Sequence, residues 1–216
     1  MDAQLGSSPK DALAALLGAR RSYRSYRPDP VPNAVIERLI EAACRAPSAH
    51  NRQPWRFAVL KTADKKFRLA DAMATRLRRD RMTNGDATAD VEGDATRSMA
   101  RIAGAPLLVL VALSMADMDC YPDPRRNQAE HTMAVQSVAL ATGNLLLAVT
   151  TEGFGACWMC GPLFCPDVVS AALDLPPDWE PQALITVGKP HGASLDTPRR
   201  SRKPATEVTR GMESEP

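Results

Sequence analysis

Aromatic side chains are scarce: three Trp, three Tyr and four Phe make up 5% of 216 residues. Single-stranded nucleic acid is held on aromatic stacking platforms inside a basic groove. The basic groove is not indicated either, because 27 basic residues against 25 acidic ones leave a formal charge of only +2. No whole-protein field steers this chain onto nucleic acid or an acidic membrane, so any anion site must be local. Histidine is thin too, with only His50, His131 and His191, and no nucleophile elbow is present. Five cysteines do not make a disulfide framework in a chain of this length, and the odd count leaves a thiol free in a monomer. A reduced, cytoplasmic setting is the simplest expectation. The stretch Met1-Asp2-Ala3-Gln4-Leu5 has neither a basic nor an apolar region, so a secretory signal is not expected. Internal repeats and low-complexity blocks are also lacking.

What is present is an ordinary globular composition, 44% hydrophobic and 24% charged, sufficient for one substantial core. A single domain over residues 1–216 is expected. Ser8, Pro9 and Asp11 open a first helix with Leu13, Leu16 and Leu17 on one face, which stops near Gly18. Pro28, Pro30 and Pro32 forbid a helix until Asn33 caps a second one carrying Val35, Ile36, Leu39, Ile40 and Ala43. A short strand near 56–60 and a third helix around 67–77 follow, and the polar stretch 81–94 reads as a loop or mobile lid. The apolar run 107–113 reads as a strand buried on both faces.

The longest helical pattern spans 127–151 and is largely uncharged. Its length could cross a bilayer, but Gln136, Ser137, Thr142, Gly143 and Asn144 dilute its hydrophobicity. It is expected to be wrapped on every side, at the centre of one chain or between two copies. A short strand after Gly153-Phe154-Gly155, a helix near 167–173, a strand at 183–187 and an extended basic tail over 189–216 complete the chain. Mixed element order argues for an α+β architecture with one central sheet covered by helices.

Two basic clusters stand out: Arg20-Arg21-Ser22 with Arg24, just after the first helix, and Arg202-Lys203 near the other end. Both suit a phosphate. Charge-assisted contacts contribute about 1.5–3 kcal/mol each, so losing one weakens binding roughly 10- to 150-fold. The plainer reading is a solvated face, as for Arg76, Arg78, Arg79 and Arg81, which border the suspected lid and could meet an anionic substrate. Cys157-Trp158-Met159-Cys160 has the spacing of a redox dithiol or half a zinc site. No second such pair exists, and the thioredoxin-like order of tryptophan and cysteine is absent, so no metal is expected there. Trp55 and Trp158 read as core aromatics.

The segment Ala46-Pro47-Ser48-Ala49-His50-Asn51-Arg52-Gln53-Pro54-Trp55-Arg56-Phe57 resembles a signature of the FMN-dependent nitroreductase superfamily. Three further motifs, in the family's order, extend the resemblance over nearly the whole chain. These are the opening Arg20-Arg21-Ser22-Tyr23-Arg24-Ser25-Tyr26, the pair Asn144-Leu145-Leu146-Leu147-Ala148 and Gly153-Phe154-Gly155-Ala156-Cys157-Trp158, and the closing Arg202-Lys203-Pro204 before Glu207-Val208. Stretches 121–133 and 173–181 are similar to the branch that includes the C-terminal domain of the deazaflavin-coenzyme biosynthesis protein, which uses FMN to reduce a dehydro precursor.

The resemblance implies a nitroreductase-like fold with a central mixed, mostly antiparallel sheet, and a homodimer with an exchanged C-terminal segment. It also implies FMN as cofactor. Arg20, Arg21, Ser22 and Arg24 match positions gripping the phosphate, the ribityl chain and the pyrimidine edge of the ring. Arg202 and Lys203 match a second phosphate clamp, and Arg97 matches another phosphate-side position. Pro47, Ser48, Asn51 and Gln53 match the segment that reaches the flavin of the opposite subunit, while Cys160 and Gly161 fall where main chain approaches flavin N5. In that setting Cys157 and Cys160 become small residues packed beside the flavin. His50 stands where the family often has serine, which makes it a candidate substrate contact. The implied reaction is a two-step hydride transfer from a reduced nicotinamide to a small nitroaromatic, quinone-like or enone substrate. The alternative is a cofactor-maturation enzyme, such as a dehydro-deazaflavin-coenzyme reductase, that does not use nicotinamide. Flavin carries such chemistry itself, so no acid–base triad is required.

Overall fold

The computed structural model describes residues 8–191 and 201–211. Four antiparallel strands form its sheet: β1 (Trp55–Leu60), β2 (Leu107–Ser114), β3 (Gly155–Met159) and β4 (Trp179–Gly188), in the spatial order β1-β2-β4-β3. Every residue of β2 is buried, as its unbroken apolar run requires for a strand covered on both faces. Side-chain alternation sorts that run. Leu107, Val109, Val111 and Leu113 face one cluster and Leu108 and Leu110 the other. Between β2 and β4 the register slips after Val111, passing over Gln182. Pro181 lies at this slip, where a residue without an N–H is tolerated inside a sheet.

Helices cover both faces. α1 (Pro9–Ala19) is capped by Ser8, whose Oγ accepts from Asp11 N at 3.2 Å. α2 (Asn33–Cys44) and α5 (Pro124–Thr151) close one face, through Leu39 and Ala43 on the former and Val138, Ala141 and Leu145 on the latter. α3 (Ala63–Thr83), α4 (Thr88–Ala103) and α6 (Pro166–Leu173) cover the other, through Leu69, Ile102 and Val169. Full burial of such a side chain stabilises by about 1.5–3 kcal/mol. A single turn of helix, α7 (Ala205–Val208), lies in the tail, where residues 201–211 are all exposed. The rest of the basic tail expected over 189–216 lies largely outside the described residues.

Two expectations are corrected. The stretch 81–94 is not a lid loop: α3 runs through Thr83 and α4 begins at Thr88, leaving a short turn in which Gly85 takes φ +81°. Ion pairs from Arg78 to Glu92 and from Arg81 to Asp94 lace the two helices together, and Arg81 also pairs with Asp86 in the turn. The polar residues read as loop are their facing charged surfaces. Second, Asn33 is the first residue of α2 rather than its cap, and its Oδ1 accepts from Lys61 Nζ instead.

α5 is wrapped on one flank only. Asn144 Nδ2 donates to the Ala42 carbonyl at 3.3 Å and ties α5 to α2, whereas Leu140 on α5 stays 52% exposed. α5 is also the one helix among the described residues with the length and apolarity of a membrane span, with 39% of its apolar window buried within the chain. α1, which packs against α5, buries none of its residues and presents Leu13 and Leu17, 53% and 56% exposed.

Candidate active site

The basic run after α1 lies along the outer edge of the sheet. α1 ends because Arg20 adopts an extended conformation while its N–H still bonds Leu16 O at 3.1 Å. Ser22 then forms a parallel bridge with Ala156 of β3, and Tyr23 N donates to Ala156 O at 2.9 Å. Tyr26 locks the far end. Its hydroxyl donates to the Tyr23 carbonyl at 2.5 Å and shares a hydrogen bond with Thr186 Oγ1 at 2.7 Å. Burial drives the Tyr26 phenol well above its ordinary range, with the Thr186 bond opposing. Arg21 stacks on the Tyr23 ring, 5.9 Å from its centroid.

β3 leads directly from Ala156 to Cys157 and onward to Cys160 and Gly161, so the edge pairing brings two distant predicted groups together. Burial pushes the pKa of the Cys157 thiol up, and the nearby Arg24 charge opposes that push. Burial raises the Cys165 thiol as well. Reactive dithiols need the opposite, a lowered pKa, so Cys157 is suited to packing rather than to thiol catalysis.

Most arginines elsewhere are neutralised, although Arg45, Arg68, Arg101 and Arg125 also form no ion pair among the described residues. Arg38, Arg52, Arg56, Arg76, Arg78, Arg81 and Arg126 each pair with a carboxylate. Among the described residues no carboxylate pairs with Arg20, Arg24, Arg202 or Lys203. Unneutralised cations on a fixed edge are a fitting donor set for a phosphate. The run 76–81, by contrast, is satisfied by Asp80, Asp167, Glu92, Asp86 and Asp94. Arg97 belongs with these, paired to Asp94 on its own helix. Arg202 and Lys203 are exposed on the tail, and no hydrogen bond or ion pair among the described residues joins them to Arg20 or Arg24.

The Pro47–Gln53 segment forms a second group, against α5. A short 3-10 helix, Ala49–Asn51, sits on it, with Ala49 N donating to Ser137 Oγ at 3.2 Å. Ser48 Oγ accepts from Gln53 N at 3.0 Å and closes the loop. His50, Asn51 and Gln53 take φ of +50°, +55° and +51°. Left-handed conformations of non-glycine residues cost on the order of 1–3 kcal/mol each and concentrate at functional sites. Pro47, His50, Asn51 and Gln53 are exposed and Ser48 half-buried. No hydrogen bond or ion pair among the described residues joins this segment to the Arg20–Arg24 edge. A cleft of about 100 Å³ between β1, α3 and α6 lies away from both groups and is too small for a drug-sized ligand, which needs roughly 300 Å³ or more.

Sequence reasoning passed over Tyr26 as an anchor, Ser137 as the support of Ala49, and the acidic side chains near His50. Nothing in spacing or composition marks these, because each acts through a contact between distant segments.

The nitroreductase family model matches residues 17–189. The chain belongs to the nitroreductase family. A relative from Rhodobacter capsulatus, named 5,6-dimethylbenzimidazole synthase, is 33% identical over 196 residues, covering 88% of this chain and 88% of its own. A Thermus thermophilus relative named NADH dehydrogenase is 30% identical over 204 residues, covering 83% and 87%. Among solved structures, the FMN-dependent nitroreductase NfnB of Mycobacterium smegmatis, in complex with NADPH, superposes with a TM-score of 0.75 at 23% identity, over 95% of this chain and 100% of that one. The nitroreductase fold expected from the motifs is therefore the fold observed.

Proposed function

We propose that this chain is an FMN-dependent oxidoreductase, acting as a cytoplasmic homodimer, that moves a hydride in two steps from a reduced nicotinamide to a small nitroaromatic, quinone-like or enone acceptor. The observation that carries this reading is the pair of unneutralised cations, Arg20 and Arg24, on an edge fixed to β3 by Ser22 and Tyr23. The names of two family members support it, one an NADH dehydrogenase and one an FMN-dependent nitroreductase with NADPH. Free thiols at all five cysteines are in keeping with a reducing compartment.

FMN, when bound, supplies the hydride-accepting and hydride-donating ring. Arg20, Arg21, Ser22 and Arg24 would hold its phosphate and polar ring edge, and Arg202 and Lys203 would add a clamp carried by the tail. Pro47, Ser48, Asn51 and Gln53 would meet the flavin of the other subunit, in keeping with the lack of any bond between them and the Arg20–Arg24 edge among the described residues. Main chain at Cys160 and Gly161 would lie beside the reactive edge of the ring, reached directly from β3. A Cβ at Gly161 would meet only the flexible end of the Met73 side chain, Cε at 2.9 Å, which would have to shift aside. Arg97, which the motifs also put forward, is paired to Asp94 at the surface, which argues against a phosphate role. His50, exposed on a strained loop, would touch the acceptor.

A second reading, a cofactor-maturation enzyme that takes no nicotinamide, is favoured by the relatives named 5,6-dimethylbenzimidazole synthase. Anaerobic stopped-flow reduction of the FMN-loaded protein by NADH and by NADPH separates the two. Rapid bleaching by either donor supports the oxidoreductase; a flavin that both donors leave oxidised supports the second reading. A protein that takes up no flavin overturns both.

A further inference from the structure

His50, Asp119 and Glu130 each place one ligand atom within 4.8 Å of the others, although they come from the strained loop, the segment before α5 and α5 itself. Glu130 is 2% exposed, and its Oε2 finds no hydrogen-bond partner. Its Oε1 has only a long contact, 3.5 Å, from the Tyr121 hydroxyl. A buried carboxylate oxygen left without a donor calls for a cation or a proton. The surroundings provide few protein cations. Arg52 is engaged with Asp119 Oδ1 at 2.5 Å, Arg56 with Asp117, and Arg126 with Asp123 while stacked on the Tyr121 ring. His50 nitrogens have no partner among the described residues and stand too far from either carboxylate for an ion pair.

We propose that His50, Asp119 and Glu130 form a binding site for one divalent transition-metal cation. One imidazole nitrogen and two carboxylate oxygens are a donor set for Zn²⁺ or Mn²⁺, with water completing the shell. A separation of up to 4.8 Å between donors is wider than a closed site, whose bonds of roughly 2.0–2.2 Å place neighbouring ligands about 3–3.5 Å apart; the His50 loop therefore closes inward on loading. Exposed His50 and half-exposed Asp119 leave an entry path to the buried Glu130. Arg52 orients Asp119 through one oxygen and leaves Oδ2 for the ion. The ion would tie the 47–53 loop to α5 and balance the buried charge, and through that loop it would also set the position of residues proposed to meet the flavin.

The test is metal uptake by the dialysed full-length protein, read by calorimetry and by elemental analysis after gel filtration, with Zn²⁺ and Mn²⁺ as separate probes. One equivalent per chain is expected. Asp119→Asn and Glu130→Gln should each weaken it by about 100-fold or more, since loss of even outer-shell partners costs 10- to 100-fold. Asp119 is partly exposed, so its variant decides the matter if Glu130→Gln fails to fold. Uptake below half an equivalent for both metals, or equal uptake by the parent protein and Asp119→Asn, overturns the proposal.

Discussion

The Tyr23 ring lies so close to Gly155 that a β-carbon on the glycine would fall 2.6 Å from Tyr23 Cδ2. The second glycine of the Gly153-Phe154-Gly155 element is thus a seat for the aromatic residue inside the basic run. Gly155→Ala would push Tyr23 off β3 and carry Arg21, Ser22 and Arg24 with it. We expect a loss of about 1–3 kcal/mol in urea unfolding, the usual cost of overpacking, together with a lower ratio of flavin to protein after gel filtration. Unchanged flavin content would mean that the edge pairing does not position the cations.

Arg20→Ala and Arg24→Ala should each weaken FMN binding roughly 10- to 150-fold, the range for one charge-assisted contact. Arg202→Ala should do the same through the tail. Arg97→Ala is the control: its partner is Asp94, and flavin affinity should stay within about twofold of the parent protein. Fluorescence titration of the apoprotein with FMN reads all four.

The two sides of α5 predict opposite results from neighbouring substitutions. Leu140 is exposed and Ala141 fully buried against the sheet. Leu140→Glu should yield folded monomers in sedimentation velocity, because it places a charge on the proposed subunit contact. Ala141→Glu should instead prevent folding, because a charge would enter the core without a partner. A Leu140→Glu protein that sediments as the parent does would remove α5 from the contact.

Tyr26 sets an alkaline limit. Its folded pKa is raised by burial, so the neutral phenol contributes stability that is complete below the unfolded value of about 10. That stability is lost as pH rises above it towards the folded value. Tyr26→Phe should lower stability near neutral pH by about 0.5–1.5 kcal/mol for the lost hydrogen bonds and flatten the decline above pH 10. Urea melts at several pH values check both parts.

Much of this was readable from the chain. The apolar run 107–113 has an environment covered on both faces, and β2 occupies that place. Ser8-Pro9 starts α1 as its side chains dictate. Residues 81–94 were misread because asparagine, glycine and aspartate mark a turn without saying how short it is, and the ion pairs that extend the helices on either side connect residues far apart in sequence. Within the site, motif order located the Arg20–Arg24 run and Cys160. It could not reveal the bridge from Ser22 to Ala156, which depends on strand geometry. Glu130 was invisible for a similar reason, since only burial separates it from other acidic residues on helices.

α1 carries a last implication. Eleven residues that bury nothing fall short of the roughly 12–15 that an isolated helix needs to persist in water. Its form is therefore borrowed from α5 and from whatever covers Leu13 and Leu17. If the second copy of the proposed homodimer provides that cover, a newly synthesised chain would finish the start of its arginine run only on meeting a mate. Colour should develop with second-order kinetics in polypeptide, slowly in dilute solution and faster as encounters multiply.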